Sequence, residues 1–249
     1  MRIGVCTDAG KVREINQDDY AIHENGYGLY VVADGMGGHQ CGEIASRTAV
    51  EAIQEHVTSY ITPDLDNNST KGILYEAFRR ANKRILEYAK LEPSCSGMGT
   101  TLTLLYHCGK HSFVGHVGDS RAYIMREGVL NQVTEDHSLV EELRRRGEIT
   151  EEEASNHPQK HVITRALGMG DTVRADLISL ELYANDHVLL CTDGLTNLVS
   201  HIEIKQIIQK HDSEQEAVNQ LVQLAIERGG HDNITVLLVR IQPDIKESR

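Results

Sequence analysis

The segment 29–39, with the sequence LYVVADGMGGH, constrains the fold of this chain more than any other. An apolar, strand-forming run ends abruptly in Asp34, and glycines follow at Gly35, Gly37 and Gly38. This pattern is typical of a buried strand that delivers a carboxylate to its end and then turns on glycines. The spacing is not that of a G-x-G-x-x-G phosphate loop, and no Lys-Ser/Thr pair follows. We therefore interpret Asp34 as a candidate metal ligand.

Composition and charge exclude several classes of protein. The chain has 249 residues, of which 40% are hydrophobic and 25% charged, as expected for a soluble globular protein with a substantial core. Its formal net charge of -12 disfavours general binding to nucleic acid or to an anionic membrane. No apolar run approaches the length of a membrane-spanning helix, and the first residues do not form an apolar signal segment. We therefore expect a cytoplasmic protein with no nucleic-acid or membrane partner.

The cysteines allow a prediction of their redox state. They are Cys6, Cys41, Cys95, Cys108 and Cys191. Their odd number, wide spacing and lack of a C-x-x-C pair predict reduced thiols in a cytosolic protein, and a thiolate zinc site is not expected. Cys41 lies two residues after His39. Inert packing and redox inhibition are both open interpretations of Cys41.

Hydrophobic patterning predicts a protein of mixed α and β structure. Alternating or continuous apolar runs predict strands at 2–7, 20–24, 28–33, 100–106, 110–117, 121–126, 187–192 and 234–241. Helical periodicity occupies 43–59, 71–90, 139–146, 202–210 and 213–228. The long charged segment 134–170 is interpreted as a helical insertion between strands. Because the regular βαβ alternation of a doubly wound sheet is missing, the pattern favours the α+β class with largely antiparallel sheets.

Further aspartates share the position of Asp34 at a junction between a predicted strand and a loop. They are Asp18, Asp119, Asp193 and Asp232. A single aspartate beside a glycine at such a junction is usually a turn former. Several that converge would form an all-oxygen cluster suited to Mg²⁺ or Mn²⁺.

Eight short blocks follow one another along nearly the whole chain. They are REINQD at 13–18, VADGMGGH at 32–39, GEIAS at 42–46, MGTT at 98–101, VGDSRAY at 117–123, ITRALG at 163–168, TDGLT at 192–196 and GHDNIT at 230–235. In content and order they resemble the type 2C metal-dependent serine/threonine protein phosphatases, the PPM family, in its compact bacterial form. The resemblance implies an α-β-β-α sandwich of two antiparallel sheets flanked by helices. It further implies a single domain over 1–242, a flap at roughly 134–170 beside the cleft, and a tail at 243–249.

The resemblance implies an enzyme that hydrolyses phosphoserine and phosphothreonine monoesters in proteins. The attacking group would be a water or hydroxide that bridges two Mn²⁺ or Mg²⁺ ions. Asp34 would bridge both ions, and Asp193 and Asp232 would complete the first. The carbonyl of Gly35 would bind the second, which explains a residue without a side chain at that position.

Four more roles come from the same resemblance. Asp18 would hold a metal-bound water, and Asp119 would help to bind a third, weaker ion that faces the flap. Arg13 would clamp the phosphate, because its planar guanidinium can hold two phosphate oxygens. His39 is not equivalent in position to the histidine of animal relatives, which directly follows the Asp-Gly pair. A general-acid role, a substrate contact and loop packing are all open for His39, with a metal-bound water as the rival proton donor.

The partners implied are phosphorylated protein substrates and a serine/threonine kinase as the functional opponent in signalling. Nothing in the sequence demands an oligomer, and a monomer is expected. Two other classes of function stay open. The first is a binding or scaffold protein on the same fold, against which the retained carboxylates argue. The second is a metallohydrolase for a small phosphorylated metabolite, which a deep enclosed pocket would favour over a shallow open cleft.

Overall fold

A computed structural model describes residues 1–37, 41–109 and 111–243 of the chain. In this part the strands are β1 (Arg2–Asp8), β2 (Asp18–Glu24), β3 (Gly28–Met36), β4 (Gly99–Thr100), β5 (Leu102–Cys108), β6 (His111–Val117), β7 (Arg121–Arg126), β8 (Val129–Gln132), β9 (Asp176–Leu180), β10 (His187–Cys191) and β11 (Ile234–Arg240). The helices are α1 (Cys41–Tyr60), α2 (Asn67–Leu91), α3 (Leu139–Arg145), α4 (Glu151–Ser155), α5 (Asp193–Thr196), α6 (His201–Lys210) and α7 (Glu214–Glu227). None of these helices combines the length and the apolar character that a bilayer crossing needs.

The strands form two antiparallel sheets. The first has the order β1-β11-β10-β7-β8, and the second has the order β2-β3-β5-β6-β9 with β4 paired to β3. In the first sheet, β1 pairs with β11 from Arg2 opposite Arg240 to Asp8 opposite Ile234. The prediction of an α+β protein with an α-β-β-α sandwich is confirmed.

The strand β3 shows how the four layers pack. Its residues Leu29, Val31 and Ala33 join a cluster with the buried faces of α1 and α2. The alternate residues Tyr30 and Val32 join a cluster with apolar side chains of the first sheet. A third cluster packs α6 and α7 on the outer face of that sheet. Because both faces of β3 are buried, its sequence reads as a continuous apolar run rather than an alternating one.

The elements that patterning missed are all short. They are β4, β8, β9 and α5, each of five residues or fewer. Periodicity needs a longer window than this to be recognised. The insertion 134–170 does carry helical structure, in α3 and α4.

Cys41 and Cys95 form a disulfide, so the expectation of reduced thiols is wrong for this pair. Cys41 is the first residue of α1, and Cys95 ends a short 3-10 turn that follows α2. The packing of α1 against α2 brings the two Cα atoms to 5.3 Å although the residues are 54 apart in sequence. A spacing rule cannot reveal a contact that depends on how two helices pack. Cys6, Cys108 and Cys191 carry free thiols.

Candidate metal centre

Two of the predicted metal ligands lie opposite each other in neighbouring strands. Asp18 begins β2, and it pairs in register with Asp34 near the end of β3. Directly opposed residues in an antiparallel pair project to the same face of the sheet, with Cβ atoms about 4.5–5.5 Å apart. Two carboxylates so placed disfavour each other's ionised form.

The remaining carboxylates reach this face from other elements. Asp193 begins α5 directly after β10, Asp119 follows β6, and Asp232 precedes β11. Burial raises the pKa of Asp34 well above its usual value, and the charges of Asp18, Asp193, Asp119 and Asp232 raise it further. The structure therefore brings all five predicted aspartates close enough to act on one another at one end of the sandwich.

The pKa values of the carboxylates near Asp34 are also raised. Burial raises the pKa of Asp18 to about 7, and the charges of Asp193 and Asp232 add to the rise while two hydroxyl donors oppose it. Burial raises the pKa of Asp119 to about 8, with a contribution from Asp193. Burial and the charge of Asp232 also raise the pKa of Asp193. The centre has an excess of negative charge that a bound cation would relieve.

Individual oxygen atoms support the same interpretation. Oδ1 of Asp18 and Oδ1 of Asp193 are buried and make no hydrogen bond. Buried polar atoms without a partner are uncommon in folded proteins, and a bound ion can satisfy them. Within the described ranges, no three His, Cys, Asp or Glu side chains are arranged to hold an ion by themselves, so backbone oxygens or water would have to contribute. A donor set made of oxygens fits the hard cations Mg²⁺ and Mn²⁺.

Gly35 lies where two backbone segments approach closely. A Cβ at this position would come within 2.0 Å of the carbonyl oxygen of Gly42 in α1. Its amide donates a hydrogen bond to the carbonyl of Gln17 at 3.1 Å. The packing of β3 on α1 therefore requires a glycine here, whether or not its carbonyl binds an ion.

The predicted phosphate clamp contacts a predicted metal ligand. Nη2 of Arg13 donates to Oδ2 of Asp232 at 2.9 Å. The side chain of Arg13 is 51% exposed and that of Asp232 is 36% exposed. Arg13 therefore lies at the rim of the carboxylate cluster, in a pairing that the sequence did not predict.

His39 lies outside the described residues, as do Gly38 and Gln40. Its general-acid role, and the alternatives to it, therefore stay predictions.

Asn233 organises the loop that carries the predicted phosphate clamp. Its Oδ1 accepts a hydrogen bond from the amide of Gln17 at 2.8 Å. Its Nδ2 donates to the carbonyls of Ala9 and Ile15, each at 3.0 Å. The loop 9–17 is thereby fastened to the segment before β11. Sequence reasoning missed this role, although the block GHDNIT contains the residue.

A groove of about 610 Å³ starts at Asp119 and Asp193. One wall belongs to the insertion 134–170, with Glu141 and Arg144 of α3 and His161 among its lining residues. Residues of β7, α5 and α6 also line the groove. The groove is partly open and mainly polar. This shape suits a segment of protein chain better than a small metabolite, which would need a more enclosed pocket.

Comparison with known proteins relates this centre to a family. Residues 9–227 match the family model described as Protein phosphatase 2C. The serine/threonine phosphatase stp of Listeria monocytogenes serovar 1/2a is 40% identical over 238 residues, which cover 94% of this chain and 93% of that protein. The crystal structure of the serine/threonine phosphatase Stp1 from Staphylococcus aureus matches with a TM-score of 0.90 and 34% identity, over 97% of this chain and 95% of that one. The catalytic domain of the serine/threonine protein phosphatase PstP, in complex with two manganese ions, matches with a TM-score of 0.85 and 35% identity, over 97% and 98%.

Proposed function

We propose, from the premise that this chain belongs to the protein phosphatase 2C family of serine/threonine phosphatases, that its buried carboxylates hold the divalent cations used to hydrolyse phosphoserine and phosphothreonine monoesters in proteins. One observation carries the proposal. The carboxylates of Asp18, Asp34, Asp119 and Asp193 crowd together with pKa values raised by burial and, in part, by one another. Such a cluster is costly to ionise unless cations enter it.

The family resemblance and the donor chemistry assign the two central ions. Asp34 would serve both ions, since each of its two oxygens can bind one. Asp193 and Asp232 would join Asp34 at the first ion together with water, and the carbonyl of Gly35 would contribute to the second. When bound, such a pair lowers the pKa of water and neutralises phosphate charge. Mn²⁺ and Mg²⁺ both suit these oxygen donors.

Asp119 is proposed to help hold a third, weaker ion. Asp119→Ala is expected to impair turnover more than it impairs binding of the two central ions, because the oxygen donors assigned to those ions all remain in this variant. Calorimetric titration with Mn²⁺ and a turnover assay separate the two effects. Asp171→Ala, at an exposed position, is the matched control. Loss of the tight binding events in Asp119→Ala would contradict the assignment.

Arg13 is proposed to exchange its carboxylate partner for substrate phosphate. Its planar fork can donate to two phosphate oxygens at once, which a lysine cannot reproduce. Arg13→Lys is therefore expected to raise the KM for a phosphothreonine peptide about tenfold while leaving Mn²⁺ affinity nearly unchanged. An unchanged KM would remove Arg13 from the phosphate site.

The remaining features of the proposal concern the whole molecule. We propose one phosphatase domain over 1–242 with a flap at roughly 134–170 and a tail at 243–249. The pairing of β1 with β11, which joins the two ends of the described chain, supports a single domain. The enzyme would be a cytoplasmic monomer in signalling, acting on phosphorylated proteins and opposing a serine/threonine kinase.

Hydrolysis assays test the proposal directly. The wild type is expected to hydrolyse p-nitrophenyl phosphate and a phosphothreonine peptide with Mn²⁺ and to lose both activities in EDTA. Asp193→Asn should be inactive under all conditions, while Asp171→Asn should behave as the wild type. Activity that survives chelation would rule out the metal-dependent mechanism. Hydrolysis of the small ester without hydrolysis of any phosphopeptide would favour a metabolite substrate instead.

A further inference from the structure

The carboxylate of Asp18 has two oxygens in different surroundings. Oδ2 accepts hydrogen bonds from Oγ1 of Thr192 at 2.9 Å and from Oγ1 of Thr235 at 2.7 Å. Oδ1 is buried and has no hydrogen-bond partner. Both threonines are fully buried, and Asp18 is 8% exposed. Oδ2 of Asp18 therefore accepts two hydrogen bonds from the protein, and Oδ1 is left for a ligand.

The two donors are oriented by further hydrogen bonds. Oγ1 of Thr192 accepts from the amide of Thr235 at 2.9 Å, which directs its own proton toward Asp18. Oγ1 of Thr235 lies 2.7 Å from Oγ1 of Thr7. A hydroxyl has a single proton, and because Thr235 gives its proton to Asp18, Thr7 must donate to Thr235. Nδ2 of Asn16 in turn donates to Oγ1 of Thr7 at 2.8 Å, so every bond in the series runs toward the carboxylate.

These hydrogen bonds cross from one sheet to the other. Asp18 begins β2 in the second sheet, whereas Thr192 follows β10 and Thr235 lies in β11, both in the first. Threonine is stiff about χ1 because it is branched at Cβ, so Thr192 and Thr235 each hold a hydroxyl in a defined direction. The first sheet thus acts as a rigid frame that fixes the orientation of a carboxylate from the second.

We propose that Thr192 and Thr235 are positioning residues that hold Oδ2 of Asp18 and thereby present Oδ1 to the divalent cations of the site and the water bound to them. This inference rests on the proposed function. The terminal torsion of an aspartate is broad, so the carboxylate by itself does not fix the direction of its oxygens. Two donors on one oxygen fix the plane of the carboxylate, and with it the direction of the other oxygen, before an ion arrives. Groups that orient metal-binding side chains in this way typically change metal affinity or activity about 10–100-fold when they are removed.

A pair of substitutions at Thr235 separates the hydroxyl from the shape of the side chain. Thr235→Val keeps the branched shape and removes the donor, whereas Thr235→Ser keeps the donor. Calorimetric titration of the metal-free proteins with Mn²⁺ is expected to show about a tenfold weaker affinity in the valine variant and near wild-type affinity in the serine variant. Excess Mn²⁺ should restore much of the turnover of Thr235→Val, because the hydroxyl touches no reacting group.

A control variant distinguishes two roles of the threonines, the orientation of Asp18 and the joining of the two sheets. Ser112→Ala removes another buried hydroxyl, which contacts Nδ1 of His107 at 2.7 Å at the far end of the second sheet. If the threonines only join the sheets, Thr235→Val will lower the thermal midpoint as Ser112→Ala does and leave Mn²⁺ affinity unchanged, and that result would overturn the inference. If Thr235→Val does not fold, Thr192→Val removes the other donor and is judged by the same titration.

The wild type reports separately on the proposed function. If the wild type binds Mn²⁺ and hydrolyses the phosphopeptide while a folded valine variant matches its affinity, the positioning role alone is wrong. If the wild type binds no Mn²⁺, the proposed function fails and the positioning role falls with it.

Discussion

The two ends of the sandwich differ in the groups that surround their buried carboxylates. At the end away from the cleft, Glu214 is 5% exposed and contacts Nε of Arg2 at 2.9 Å and Nη1 of Arg240 at 3.8 Å. Asp186, which is 3% exposed, contacts Nη2 of Arg126 at 2.7 Å. At the cleft end, by contrast, the buried Asp18 is held by threonine hydroxyls. The far end pairs its buried acids with arginines of the chain, whereas the cleft end places its buried carboxylates beside other carboxylates and has Arg13 paired with the more exposed Asp232 at its rim.

The same strands carry both arrangements. In the first sheet, Arg240 lies in register with Arg2 on one side and with His187 on the other. A few residues along, Thr7 lies in register with Thr235. The difference therefore comes from side-chain choice at the two ends of a common framework. The charges at the far end serve folding, because their counterions are built in. Those at the cleft end need cations from solution.

The largest effect is expected from Asp34→Asn. Loss of this shared carboxylate should lower turnover by about a thousandfold or more, since the ions supply several kcal/mol of transition-state stabilisation. The metal-free variant should be at least as stable as the wild type, because a neutral amide cannot ionise and so removes the cost of placing a carboxylate among four others. Turnover with Mn²⁺ and denaturant unfolding in EDTA measure the two effects. A variant that is both inactive and markedly destabilised would remove the contrast between the ends.

The disulfide adds a covalent tie near the cleft. Replacing both Cys41 and Cys95 by serine should lower the free energy of unfolding by about 3 kcal/mol, because the closed loop of 54 residues restricts the unfolded chain. Cys108→Ser is the control, since Cys108 forms no disulfide. Equal free energies of unfolding for the oxidised wild type and the double variant would show that the disulfide does not stabilise the protein.

Asp186→Asn tests the far end. The carboxylate accepts from the guanidinium of Arg126 and from the amide of Tyr183 at 2.8 Å. Loss of its charge should destabilise the protein by about 2 kcal/mol and leave kcat and Mn²⁺ affinity unchanged. Denaturant unfolding and the phosphopeptide assay provide the measurements. A drop in Mn²⁺ affinity would mean that the two ends are coupled.

A further effect concerns pH. The pKa values of Asp18 and Asp119 are raised to about 7 and about 8, so the folded metal-free protein keeps protons that the unfolded chain releases above about pH 4. These groups therefore contribute stability at low pH that is lost as the pH rises through 7 and 8. Unfolding in EDTA from pH 5 to pH 8 should show this loss, and Asp18→Asn should show less of it. Saturating Mn²⁺ should reverse the trend, because the ions displace the protons. Identical pH trends with and without Mn²⁺ would contradict the cleft-end interpretation.

Local sequence was enough for the features that local physics determines. The strand β3 was recognisable because a fully buried strand must be apolar throughout, and Asp34 stood out at its end. Asp193 and Asp232 were recognisable from the short blocks that contain them. The glycine at 35 was expected for a carbonyl ligand, and the structure adds a second reason in its contact with Gly42.

Features that depend on contacts between distant segments were beyond local reasoning. The hydrogen bonds from Thr192 and Thr235 to Asp18 cross between sheets and leave no periodic trace. The pairing of Arg13 with Asp232 and the disulfide from Cys41 depend equally on how loops and helices meet. Each of these requires the packed molecule, since the residues involved are far apart along the chain.

The pairing of β1 with β11 has a consequence for how the protein is made. A ribosome adds about 5–20 residues per second, so β1 emerges long before the strand that will flank it. Until β11 is made, β1 and β10 lack the strand that lies between them in the first sheet. The carboxylate cluster also lacks Asp232, which directly precedes β11. Pairing across such a separation makes folding slow and leaves apolar strand surface exposed meanwhile. We expect nascent chains that stop before β11 to be aggregation-prone and unable to assemble the centre, so that activity requires the synthesis of β11.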